Sequence, residues 1–168
     1  MRPHLLPLTL ALAAAAACSS DESDPLAADV SLAGLEVTLP QTTYARSDLD
    51  ITSGPGVRAR IVNGTAQPYY SRLGDAFNGA VEQDPLWVAT GSDGALERAD
   101  GAAWAAVEGV FLVEGVREVT LRTGKSNELI AHAPPGVAPG RYRIVVALRP
   151  APGAAVAVRV ASPTFEVR

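Results

Sequence analysis

The stretch Pro139-Gly140-Arg141-Tyr142-Arg143-Ile144-Val145-Val146-Ala147-Leu148 decides the fold class. Proline and glycine mark a turn. The run that follows is rich in β-branched residues, which pack well on a pleated surface and lose rotamer freedom in a helix. A tyrosine just inside such a strand suits a tyrosine corner, with the ring packed inward and the hydroxyl bonded to the turn backbone. Working outward, Leu35-Glu36-Val37-Thr38-Leu39 alternates apolar and polar up to Pro40, and Val57-Arg58-Ala59-Arg60-Ile61-Val62 does so up to Asn63-Gly64. Alternation of this kind predicts strands with one wet face. Leu86-Trp87-Val88-Ala89 lies between Asp84-Pro85 and Gly91-Ser92-Asp93-Gly94, and residues 116–122 alternate except at Glu118-Val119. Residues 154–160 and 164–167 read as a final strand broken at Pro163, a residue suited to an edge or a bulge. Residues 67–83, with Tyr69, Tyr70, Leu73, Ala76 and Phe77, read as a strand or a short helix, and the alanines of 99–106 reflect composition rather than a repeat. Turn signals recur every ~10–15 residues with no long amphipathic helix between them, which predicts an all-β antiparallel sandwich of about seven to nine strands.

Composition agrees. The chain has 168 residues, 48% apolar, 19% charged and 5% aromatic, with a net charge of −4. That is enough apolar material for one domain with appendages and too much for a disordered chain. Thirteen prolines and 15 glycines without a three-residue period exclude collagen and disfavour long helices. The 14 basic and 18 acidic residues are dispersed, which leaves no basic patch for nucleic acid.

The amino terminus reads as an address. Residues 1–17 have Arg2 followed by an apolar run from Leu5 to Ala17, shorter than the ~20 residues a membrane span needs, and predict a signal peptide. Ala15-Ala16-Ala17-Cys18 resembles the lipobox of bacterial lipoproteins, with Ala15 where that motif usually carries leucine. The resemblance implies that Cys18 is acylated and becomes the first mature residue. Residues 18–29, containing Ser19-Ser20-Asp21-Glu22-Ser23-Asp24-Pro25, then form a flexible tether, and residues 30–168 form the domain. Ser19 behind the cysteine resembles lipoproteins sent to an outer membrane, where the cell has one. Loss of Arg2 leaves 13 basic against 18 acidic residues, a charge of −5. With its single cysteine lipidated, the mature domain holds no thiol for a disulfide or a nucleophile.

Four stretches in order carry a family resemblance. They are Ile61-Val62-Asn63 with Thr65 and Tyr69, then Trp104 between Gly101 and Val107, then Pro139-Gly140-Arg141-Tyr142-Arg143-Ile144, then Ser162-Pro163-Thr164-Phe165-Glu166-Val167. Residues 35–168 thereby resemble the bacterial immunoglobulin-like domains of envelope lipoproteins. The long segment 72–100 departs from that pattern. The resemblance implies an immunoglobulin-like sandwich in which Tyr142, Trp104 and Phe165 are structural, and a protein or surface polysaccharide as partner. It implies no cofactor and no metal. Trp87 and Trp104 each stand next to small apolar residues and read as structural core residues. Small immunoglobulin-like folds also block proteases through protruding loops, and 72–100 is long enough to supply one.

Several chemistries fail on residue type or spacing. The mature chain has one histidine, His132, so a multi-histidine zinc site cannot form within it. No Gly-x-Ser-x-Gly turn presents a nucleophile to it. Thr123-Gly124-Lys125-Ser126 ends like a phosphate loop, but Val119 stands where the first glycine belongs, which favours an inter-strand turn or hairpin. Asp48-x-Asp50-x-Thr52 has Ser53 and Ala59 where a calcium loop needs glycine and glutamate, so these acids, like Asp93 and Glu97, read as solvated turn residues. Nothing selects a carboxylate pair for glycoside hydrolysis. Asn63-Gly64-Thr65 matches a glycosylation sequon and reads as a hairpin turn. Tyr69-Tyr70 is either an aromatic binding patch or edge packing, with opposite sides of the strand taken by the two rings.

Overall fold

A computed structural model describes residues 32–74, 85–109 and 115–168. Within them the chain is all-β, with twelve strands and one single-turn helix. The strands are β1 (Leu35–Thr38), β2 (Thr43–Tyr44), β3 (Val57–Asn63), β4 (Tyr69–Gly74), β5 (Leu86–Val88) and β6 (Gly94–Asp100). They continue as β7 (Ala103–Ala106), β8 (Val116–Leu121), β9 (Lys125–Ala131), β10 (Gly140–Leu148), β11 (Val158–Ala161) and β12 (Phe165–Val167), while α1 is Arg46–Leu49. One sheet runs β1-β3-β9-β5-β4-β8 and the other β2-β12-β10-β6-β7, with β11 also on β10.

The two sheets pack as a sandwich, but they are mixed rather than wholly antiparallel. β5 runs parallel to β9 and β12 parallel to β2. The ambiguous stretch after Gln67 is a strand as far as Gly74, and its remainder falls outside the described residues. The long segment 72–100 contains the end of β4 and all of β5 and β6.

Alternation along the strands sorts the core. Val57, Ala59 and Ile61 of β3 and Leu129 and Ala131 of β9 meet Tyr142, Ile144, Val146 and Leu148 of β10 across the sandwich, all of them buried. Tyr142 and Tyr44 both pack on Phe165, at centroid distances of 6.0 and 5.2 Å. The sheets are also joined at one corner, where Tyr70 of β4 and Arg149, just past β10, exchange backbone hydrogen bonds of 2.9 and 2.8 Å. Ser71 adds a hydroxyl bond to the Ala147 carbonyl at 2.9 Å.

Pro163 breaks the strand that flanks β10, since β11 pairs with its second half and β12 with its first. Proline cannot donate to the ladder, and its neighbour repairs the gap. The Ser162 hydroxyl accepts a hydrogen bond from the Ile144 amide at 3.0 Å and donates to the Pro163 carbonyl at 2.8 Å.

Asn63-Gly64 is not a hairpin, because β3 and β4 lie apart in their sheet. Asn63 is buried instead, with all four of its hydrogen-bonding positions used. Its amide donates to the carbonyls of Leu121 (2.8 Å) and Gln67 (3.0 Å), and its oxygen accepts from the Thr65 amide (3.0 Å) and hydroxyl (2.7 Å). That side chain ties the end of β3 to the end of β8. An Asn63→Ala variant strands the buried Leu121 carbonyl and loosens the Thr65–Gln67 turn, and is expected to lose about 2 kcal/mol, read from denaturant unfolding curves.

Candidate functional site

The outer face of the second sheet carries the most concentrated chemistry among the described residues. Glu97 on β6 and Arg143 on β10 are register partners, and Arg159 projects from β11 on the other flank of β10. Glu97 is 1% exposed. Its Oε2 accepts from Arg143 Nε at 2.8 Å and lies 2.7 Å from a second Arg143 nitrogen, while its Oε1 accepts from Arg159 at 2.8 Å. The guanidinium carbon of Arg143 lies 4.4 Å from the centroid of the Trp104 ring, a cation–π contact. An acid expected in a solvated turn is therefore clasped by two cations, with both carboxylate oxygens occupied.

Asp93 departs from expectation in the same way. Its side chain is only 13% exposed, and it pairs with the Arg149 guanidinium through both oxygens. It also accepts from the Arg72 amide at 2.6 Å. This pair fastens the corner where β4 meets the end of β10. Asp48 and Asp50 serve their own turn. Asp48 accepts from the Ala45 amide at 2.8 Å, and Asp50 accepts from the Thr52 amide (2.8 Å) and hydroxyl (2.6 Å), bonds that hold its carboxyl below the usual range. Lys125 follows Gly124 in an inter-strand turn between β8 and β9, where the Lys125 amide donates to the Arg122 carbonyl at 3.1 Å.

The aromatic residues divide between core and surface. Phe165 and Tyr142 are buried, and the Tyr142 hydroxyl donates to the Ala138 carbonyl at 2.5 Å, four residues upstream in the turn. Gly140, with φ of +149°, supplies the backbone freedom that this corner uses. Neither Trp87 nor Trp104 enters the space between the sheets, although the sequence suggests core roles for both. Each is half-buried because each covers a polar partner: Trp104 lies over Arg143, and Trp87 stacks on His132 at 4.9 Å with ring planes 9° apart. Tyr69 is buried and accepts a hydrogen bond from the Gln67 side chain at 2.8 Å, whereas Tyr70 is half-buried. Cys18 lies outside the described residues.

His132 is 5% exposed rather than set in an open loop. Gly56, at φ +75°, lets the ring approach, since a Cβ there would sit 2.7 Å from Nε2. Burial pushes the imidazole below its ordinary value, opposed in part by the nearby Asp50 carboxylate.

Comparison of the chain with protein-family models, with curated proteins and with solved structures finds no match.

Three outcomes are expected. Glu97→Gln leaves two guanidinium groups short of a charge partner and is expected to cost about 3 kcal/mol in chemical denaturation. Joint replacement of Glu97 and Arg143 by leucine and methionine recovers most of that loss, because well-packed apolar groups substitute for a buried pair at little cost. For His132 the unfolded chain takes up a proton near pH ~6.5 and the folded chain only at lower pH. Stability from this group is thus complete above that range and falls as pH drops through it. Between pH ~7 and ~5 the wild type is expected to lose stability relative to a His132→Phe variant, and parallel pH profiles would exclude this role.

Proposed function

We propose that the protein is a non-catalytic, lipid-anchored component of the bacterial cell envelope whose immunoglobulin-like sandwich is displayed for binding a protein or a surface polymer. The observation that carries this reading is the order of parts along the chain: an apolar leader, Cys18, an acidic tether and then an all-β sandwich. A tether of this composition buries nothing and holds a folded unit away from the lipid surface. Where two membranes are present, Ser19 directs the protein to the outer one.

The four acids that the sequence singles out, Asp48, Asp50, Asp93 and Glu97, are engaged in structural bonds. Asp93 and Glu97 have both oxygens engaged by Arg149 and by Arg143 and Arg159, and Asp48 and Asp50 each use one oxygen within a turn. The described residues of segment 72–100 build strands in both sheets and residues 75–84 lie outside them, so among the described residues no specific observation favours a protease-inhibiting loop.

Metabolic labelling with a palmitate analogue is expected to mark the wild-type chain and not a Cys18→Ser variant, with the variant leaving the membrane fraction. Equal fractionation of the two chains would overturn the anchor. Affinity capture from native envelope is expected to retain a specific partner relative to a denatured control, and retention of none at low salt would overturn the binding role.

A further inference from the structure

Sheets in folded proteins usually blunt their edges with charge, proline or shortness, because an open row of amides recruits another chain. The ends of these two sheets follow that rule in three places. β1 carries Glu36, β8 carries Arg117 and Glu118, and β2 has only two residues. β7 does not follow it. Its four residues, Ala103-Trp104-Ala105-Ala106, bear no charge and no proline, and three of them are exposed. Among the described residues nothing pairs with its outer side.

The hydrogen-bond parity of the β6–β7 hairpin shows what this edge offers. Asp100 and Ala103 flank a two-residue turn, and the register runs from Asp100↔Ala103 to Glu97↔Ala106. Beyond it the Val107 amide donates to the Leu96 carbonyl at 2.8 Å. In an antiparallel ladder bonded and non-bonded pairs alternate, so Ala103, Ala105 and Val107 point their backbone groups at β6. The N–H and C=O groups of Trp104 and Ala106 point away from the sheet. Beside this row lie two clefts of about 420 and 210 Å³ that both reach Ala106 and Val107. The larger is bordered by Arg98, Val137 and Tyr142, and the smaller by Val88, Gly94 and Leu96.

We propose that β7 is a strand-addition site that takes an extended segment of a partner polypeptide, with small or apolar side chains in its centre and a basic residue at each end. The hydrogen bonds come from Trp104 and Ala106, and side chains on one side of the added strand enter the clefts. The charge preference follows from Asp100 and Glu108, which are exposed at the two ends of β7. The same two acids oppose a second copy of this chain, since antiparallel pairing of β7 with itself brings Glu108 of each copy near Asp100 of the other. This site deepens the binding role proposed above and rests on it.

The test uses the full chain and two capped peptides, Lys-Thr-Val-Thr-Val-Lys and its glutamate-ended counterpart, with hydrogen exchange as the readout. The lysine-ended peptide is expected to bind at least about tenfold more tightly and to slow exchange at Trp104 and Ala106 by about tenfold or more. An Ala106→Pro variant removes one outward amide and keeps every bond to β6, so it is expected to fold with an unchanged unfolding midpoint and to lose at least about tenfold in affinity. Binding of neither peptide, protection on β8 in place of β7, or undiminished binding by Ala106→Pro would overturn the proposal. Protection of Trp104 and Ala106 that rises with protein concentration alone would overturn it in favour of self-pairing. If Ala106→Pro proves misfolded, the wild-type exchange map decides alone. Capture of an envelope partner by a folded Ala106→Pro chain would leave the binding role standing and this edge excluded.

Discussion

β10 is buried on both faces, and that constraint organises the second sheet. An ordinary sandwich strand turns one face to the core and the other to water, so its outward positions tolerate any polar residue. Here Tyr142, Ile144, Val146 and Leu148 fill the core, while Arg143 and Val145 on the opposite face are 5% and 1% exposed. A guanidinium so enclosed requires a carboxylate, which fixes Glu97 on one side of β10 and draws in Arg159 from the other. The Arg143 guanidinium then lies over the indole of Trp104. The order β11-β10-β6-β7 is thus marked twice, by the backbone ladder and by the run of contacts from Arg159 through Glu97 and Arg143 to Trp104.

The same logic operates where ladders fail. Ser162 supplies an acceptor at the point where Pro163 interrupts the flanking strand, and Asn63 bridges strands that the sheet itself leaves apart. Asp93 and Arg149 fasten the corner between the sheets. Each is a buried or half-buried polar group whose bonds are satisfied, which makes these sites sources of specificity as much as of stability.

Strands whose faces differ in polarity were legible in the sequence: β1, β3, β5, β8 and β10 all show the expected alternation or apolar run. β6 was hidden because Gly94–Asp100 is built from alanine, leucine, glutamate and arginine, residues that favour a helix in isolation and become a strand only through pairing with β10. β9 begins with polar Lys125-Ser126-Asn127 and ends with three consecutive buried residues, so neither half alternates. β2 is too short to carry a period. The buried acids are hidden in the sequence for a different reason. A glutamate paired with arginines 46 and 62 residues away has the same local signature as one in water. The tryptophans misled because a large aromatic ring is as well suited to cover a cation or an imidazole as to fill a core.

The parallel pairing of β2 with β12 sets Tyr44 beside Val167, joining residues near opposite ends of the described chain. β3 likewise depends on β9, which lies some 70 residues further on. Contacts so distant in sequence close large loops and form slowly. A polypeptide emerging from its amino terminus therefore cannot complete the first sheet before β9, or the second before β12, has been delivered. The wiring makes closure of the sandwich a late event, one that waits on β12 and the loop of chain it ties back to β2.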